Sequence, residues 1–223
     1  MPPMSALRGA LVAETFSFDG ARRVTAYVPP DPPESLVYAA DGAWHTERLA
    51  RALEGSSGAS STMVVGVHGL EDDDGRLHEY VEAFGGERFE AFERFFVEDV
   101  RAWVQSELGV GLAVERTAVW GASLGGELAL AMGLRHPNTY GVVLCASPGG
   151  GFTPASGELA SAVPRAYLVG GRQEQWFLDN ASRWADAFSA TGVDVVIEKR
   201  DGEHGGAFWY DEFPLMVSWA FSR

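Results

Sequence analysis

An α/β protein, with a mostly parallel eight-stranded sheet and helices on both faces, is what this 223-residue sequence predicts. Three observations carry that reading. Short, continuous apolar runs recur at residues 35–39, 63–67, 117–120, 141–146, 166–169 and 193–198. Strands buried on both faces lose the alternation of half-exposed ones, so such runs suit the interior of a parallel sheet. Between the runs lie longer helix-like segments at 45–53, 89–108, 124–135 and 177–191, and a last one at 208–221. Strand and helix in alternation imply parallel strands joined by helical crossovers. The third observation is at the start, where alternating segments 10–18 and 22–28 flank Asp19-Gly20, a hairpin signal. These two antiparallel strands bring the count to eight.

Residues 1–223 read as one domain: the length fills a single two-faced core, and neither a repeat nor a long linker divides it. Residues 55–61, Gly-Ser-Ser-Gly-Ala-Ser-Ser, read as a connector. No apolar run reaches the roughly 18–20 residues of a membrane-spanning helix, and the N-terminus has no apolar segment suited to secretion. A cytoplasmic location is expected. The one cysteine, Cys145, sits in an apolar run and is expected to be a buried, inert thiol.

A net charge of −14 excludes the basic clusters that neutralise phosphates, so neither nucleic acid nor an anionic membrane is expected as a partner. Glu71-Asp72-Asp73-Asp74-Gly75 lacks the closing glutamate of a 12-residue calcium loop and reads as a solvated loop.

Gly121-Ala122-Ser123-Leu124-Gly125-Gly126 matches the G-x-S-x-G pattern. Alone the match is weak, because the chain holds 27 glycines and many serines. Its context strengthens it: the apolar strand 117–120 runs directly into it, and the helix former Leu-Ala-Leu-Ala-Met continues it. A sharp strand-to-helix turn there holds a serine in a strained conformation above a helix N-terminus, which favours a developing negative charge. Ser123 is therefore the candidate nucleophile.

A serine hydroxyl needs a base within hydrogen-bond reach. In folds of this kind acid and histidine follow the serine, each in a loop at the carboxyl edge of the sheet. His204, in Asp201-Gly-Glu-His-Gly-Gly206 between the last strand and the last helix, has that place. His45, His78 and His136 read as surface or capping residues, and His68, ending the 63–67 run, as a residue lining the pocket. For the acid, Glu174, in the turn beyond the strand at 166–169, is the first candidate, and Asp179, about one helical turn later, is the alternative. Asp201 and Glu203 read as solvated or capping. The backbone N–H of Leu124 is the expected first oxyanion donor. The second is that of Ala43, in Asp41-Gly42-Ala43-Trp44 after the third strand, with Gly42 shaping the turn.

These pieces resemble the Putative esterase group of the α/β-hydrolase superfamily, which includes enterochelin esterases, esterase D-like enzymes and mycolyltransferase-like proteins. The similar segments are Tyr38-Ala-Ala-Asp-Gly42, Trp120-Gly-Ala-Ser-Leu-Gly-Gly126, His136-Pro137 with Tyr140-Gly141, Gly170-Gly-Arg-Gln-Glu174, and His204 with Trp209. Arg76 and Glu79-Tyr80 resemble the arginine and Glu-Tyr pair of siderophore esterases, which implies a substrate role for Arg76.

The expected activity is serine-dependent hydrolysis of short-chain or aromatic carboxylic esters through an acyl-enzyme, needing no metal or cofactor. Only about seventeen residues, 147–163, separate the strands where lids are commonly inserted, so a minimal lid and an open cleft are expected. Trp44, Trp176 and Phe177 would wall it, and Trp209 would pack behind His204. Acyl transfer, a siderophore ester substrate, and a non-catalytic binding protein on the same scaffold are the alternatives.

Overall fold

The computed structural model describes residues 6–56, 61–150, 159 and 162–222. Among these residues eight strands form one sheet in the order β1-β2-β4-β3-β5-β6-β7-β8. They are β1 (Ala10–Phe16), β2 (Arg22–Val28), β3 (Ser35–Ala39), β4 (Thr62–Val67), β5 (Thr117–Ala122), β6 (Val142–Ala146), β7 (Arg165–Gly171) and β8 (Val195–Arg200). Only β2 runs against its neighbours, pairing antiparallel with both β1 and β4; every pair from β4 through β8 is parallel. The β1–β2 turn takes positive φ at both Asp19 (46°) and Gly20 (88°), as an Asp-Gly hairpin turn requires.

Helices cover both faces. Helices α1 (Gly42–Gly55), α8 (Phe208–Asp211) and α9 (Phe213–Phe221) pack on one side, against Val37, Ala39, Val64, Trp120 and Leu144. On the other side lie α4 (Glu87–Arg94), α5 (Val100–Glu107), α6 (Leu124–Arg135) and α7 (Gln175–Ser189), against Leu36, Tyr38, Val65, Val119 and Val143. Successive residues of one strand thus serve opposite cores, which is why β3 to β6 are buried at every position. Two further helices, α2 (Asp73–Tyr80) and α3 (Glu82–Gly85), follow β4.

Four local departures from the sequence reading have physical causes. The acidic run is not a plain loop: Asp72 caps α2, its side chain accepting the Gly75 N–H at 2.6 Å, and Asp73 and Asp74 occupy the favourable first turn. Segment 89–108 is helical throughout but widens into a π turn at Phe95–Asp99 between α4 and α5. The last helix breaks at Glu212, because Pro214 has no N–H to continue it. His45 is neither a surface nor a capping residue. It is buried in α1, edge-on to Trp120, with Nδ1 2.9 Å from the Tyr210 hydroxyl. The connector at 55–61 and the inter-strand segment at 147–163, with the minimal lid expected there, fall largely outside the described residues.

Burial pushes the His45 pKa down from 6.5 to about 4. In the unfolded chain the ring titrates near its ordinary value, so between about pH 6.5 and 4 the unfolded state takes a proton that the native state refuses. Stability is full above that window and falls through it as pH drops, by roughly 3 kcal/mol at about 1.4 kcal/mol per unit. Denaturant unfolding of His45→Gln should lose that share of the slope; equal slopes in variant and wild type would assign the loss to other groups.

Candidate active site

The crossover from β3 leads to β4 on one side and that from β5 leads to β6 on the other, so their carboxyl ends form the switch point of the sheet. Ser123 and Asp41 stand there. Ser123 has φ 54° and ψ −123°, an uncommon conformation for a residue with a side chain, and its N–H is tied to the Ala146 carbonyl at 3.0 Å. The flanking glycines are sterically required. A Cβ on Gly121 would stand 1.8 Å from the Gly125 carbonyl oxygen, and one on Gly125 would meet the Asp41 carboxylate at 2.8 Å. Helix α6 begins immediately after Ser123, and every residue from Gly125 to Gly133 is buried.

Three side chains from three loops meet in a line. His204 Nε2 is 2.9 Å from Ser123 Oγ, and its Nδ1 is 2.6 Å from Glu174 Oε2. A carboxylate can only accept, so the neutral ring carries its proton on Nδ1 and leaves Nε2 to accept from the serine hydroxyl. Phe177 stacks on the imidazole, ring centroids 3.8 Å apart, and Trp209 meets it edge-on at 5.1 Å. Glu174 sits at the N-cap of α7 and is buried. Its other oxygen, Oε1, accepts the Gly171 N–H at 2.6 Å and the Ser147 hydroxyl at 2.5 Å. Ser147, fully buried with φ 48°, in turn accepts the Trp209 indole N–H at 2.7 Å. Asp179 is exposed, one turn into α7, accepting from Gln175.

On the opposite side of Ser123, Asp41 takes a left-handed conformation (φ 55°, ψ 43°) and starts α1. The N–H groups of Trp44 and His45 close on the Asp41 carbonyl, so Gly42 and Ala43 hold the first amides of the helix, ahead of its hydrogen-bond ladder. The Leu124 amide has the same place at the start of α6.

Two residues expected to serve the substrate are engaged elsewhere. The Arg76 guanidinium grips the buried Asp41 carboxylate through Nε and Nη2, each at 2.7 Å, and is largely buried. His68 Nε2 lies 2.9 Å from Thr25 Oγ1 on β2, three strands from β5. Of the other ring nitrogens, His78 Nδ1 meets the Asp74 carbonyl and His136 Nε2 meets Glu93. Glu79 pairs with Arg22, both nearly fully buried. Trp44 and Trp176 are about half exposed; Trp44 lies over Arg76, and Trp176 packs edge-on against Phe177. Cys145 is buried, and burial pushes its thiol well above its ordinary range. Ser147 escaped the sequence reading; its one signal was its position directly after β6, on the same carboxyl edge.

Fold and site together define an α/β hydrolase-like protein with a serine, a histidine and a glutamate in hydrogen-bonded sequence. A family model, Putative esterase, matches residues 16–220, and the chain belongs to that family. Among solved structures it is similar to the enterobactin esterase of Shigella flexneri, at 18% identity and a TM-score of 0.79, over 97% of this chain and 60% of that one. It is also similar to the S-formylglutathione hydrolase of Staphylococcus aureus, at 14% identity and a TM-score of 0.71, over 96% and 99%. A ferulic acid esterase matches at 15% identity and a TM-score of 0.70, over 97% and 99%. The chain thus spans about 60% of the length of the enterobactin esterase. No curated protein sequence matches it. Among the described residues no helix is long and apolar enough to cross a membrane.

Proposed function

We propose that the chain is a serine carboxylic ester hydrolase that works through an acyl-enzyme on short-chain or aromatic esters. The observation that carries this is the continuous line Ser123–His204–Glu174, with one hydrogen bond at each joint. In this reading Ser123 attacks the ester carbonyl as His204 Nε2 takes its proton. Glu174 holds the imidazole in the Nδ1–H form and stabilises its cation. The amides of Leu124 and Ala43 receive the oxyanion. His204 then protonates the leaving alcohol and deprotonates the water that releases the acid. Every step uses groups of the chain and water.

Aromatic side chains near the site support this substrate class. Trp44 and Trp176 offer exposed aromatic faces, and Phe177 links the second of them to His204. Such faces suit a flat acyl or aryl group. Esterases similar in fold act on enterobactin and on S-formylglutathione, as their names state. A polyanionic catecholate is disfavoured here by the net charge of −14 and by the engagement of Arg76 with Asp41.

A series of p-nitrophenyl esters from C2 to C12, with free alcohols added as competing acceptors, tests the reading. Efficiency is expected to peak at short or aromatic acyl groups. A buried channel would add about 0.8 kcal/mol, roughly fourfold, per methylene. A maximum at C10 or beyond would sink the open-cleft assignment, and ester products formed from the added alcohols would replace hydrolysis by acyl transfer.

A further inference from the structure

We propose that Arg76 is a positioning residue for the oxyanion amides. Acting through Asp41, it governs turnover without touching the substrate. The inference rests on the esterase reading above. Asp41 joins β3 to α1 in a left-handed conformation that a side chain adopts at a cost of order 1 kcal/mol or more, and such a turn persists only where its surroundings over-determine it. Here they do. Arg76 holds both carboxylate oxygens, and the buried Tyr80 hydroxyl donates to Oδ1 at 3.0 Å while accepting the Asp41 N–H at 3.3 Å. The guanidinium lies over the Trp44 and Tyr80 rings, 5.3 Å from each centroid. Gly42 has no room to move toward β4, since a Cβ there would stand 2.3 Å from the Gly66 carbonyl oxygen.

The Asp41 carboxylate also abuts the first turn of α6 beside Gly125. It therefore wedges between the two helix N-termini whose amides, those of Ala43 and Leu124, are to share one oxyanion. Position alone would align the amides, but the wedge is a negative charge close to where another develops. Arg76 neutralises it. Without that cation the carboxylate would oppose the oxyanion in a low-dielectric site, where such terms weigh heavily on the barrier.

The test is steady-state kinetics with affinity for an aryl boronic acid, whose tetrahedral serine adduct carries the oxyanion. Arg76→Gln is expected to lower kcat by about a hundredfold, the scale of losing or misplacing one oxyanion donor, with KM changed only a few-fold. Boronate affinity should fall in parallel, and adding Asp41→Asn should recover part of both losses by removing the unpaired charge. Tyr80→Phe, which deletes one hydroxyl, should show a smaller loss of the same kind and serves if Arg76→Gln does not fold. A variant that raises KM with kcat intact, or loses kcat with unchanged boronate affinity, overturns the proposal. Failure of the underlying reading looks different: the wild type would not react with a fluorophosphonate at Ser123, whatever residue 76 is.

Discussion

Ser123→Ala is expected to abolish hydrolysis of an activated short-chain ester while the protein stays folded. Loss of the nucleophile of a serine hydrolase costs on the order of a million-fold in turnover. The substitution removes one oxygen whose side-chain hydrogen bond among the described residues is to His204, and leaves the backbone ties of residue 123 to Ala146 and of the α6 turn in place. The strained φ of 54° is no worse for alanine than for serine. A fluorophosphonate probe should label wild type at Ser123 only. Labelling at another serine, or an active alanine variant with a normal melting curve, would move the nucleophile elsewhere.

The second large effect is expected at Glu174, and its geometry says how the damage arises. Oε1 receives two donors, from Gly171 and Ser147, while Oε2 receives the third, from His204 Nδ1. A glutamine has one acceptor oxygen and one donor amide. With its oxygen facing the fixed Gly171 N–H, its NH2 faces Nδ1 and selects the imidazole tautomer protonated on Nε2, which cannot take the serine proton. Flipped, it sets donor against donor in a buried site. An equivalent amide substitution in a related triad cost about ten-thousand-fold. Glu174→Gln should therefore lower turnover by roughly two to four orders of magnitude. Asp179→Asn, at an exposed carboxylate that accepts from Gln175, should stay within a few-fold. The reverse ranking would give the role to Asp179, and two inert substitutions would reduce the machinery to Ser123 and His204.

The parts legible in the sequence were those where one local rule decides. Segments 22–28, 35–39 and 124–135 were read with the bounds of β2, β3 and α6, because apolar pattern and turn residues agree there. The Ser123 elbow was legible because only glycine fits at 121 and 125. What escaped depended on contacts distant in sequence. The fate of Arg76 is set by the folding of Asp41, 35 residues earlier, into its reach; a solvent-facing cation and a clamped one look alike in sequence. His45 was misread because its burial depends on Trp120, Trp209 and Tyr210 closing around α1 from far along the chain. Ser147 gave no signal beyond its place directly after β6, since its hydroxyl matters only once β7 and α8 bring Glu174 and Trp209 to it.

The anchoring of Ser123 and of His204 differs in a way that bears on how the molecule fails. Ser123 opens a helix buried along nearly its whole length, so it loses its place only when the core itself comes apart. His204 belongs to a mostly exposed loop with positive φ at Gly202 and Gly205, where the Gly206 N–H to Glu203 carbonyl bond is a local one. Its long-range ties among the described residues are few: Gln173 meets Gly202, Arg172 pairs with Asp201, and the ring itself meets Ser123, Glu174, Phe177 and Trp209. Local opening free energies span a wide range within one protein, and this loop belongs at the low end while α6 belongs at the high end. Mild urea or gentle heating should therefore disconnect base from nucleophile first, with loss of fluorophosphonate reactivity preceding loss of far-ultraviolet ellipticity. Rapid dilution should restore the reactivity in full, because the hydroxyl will have waited in place on an intact scaffold.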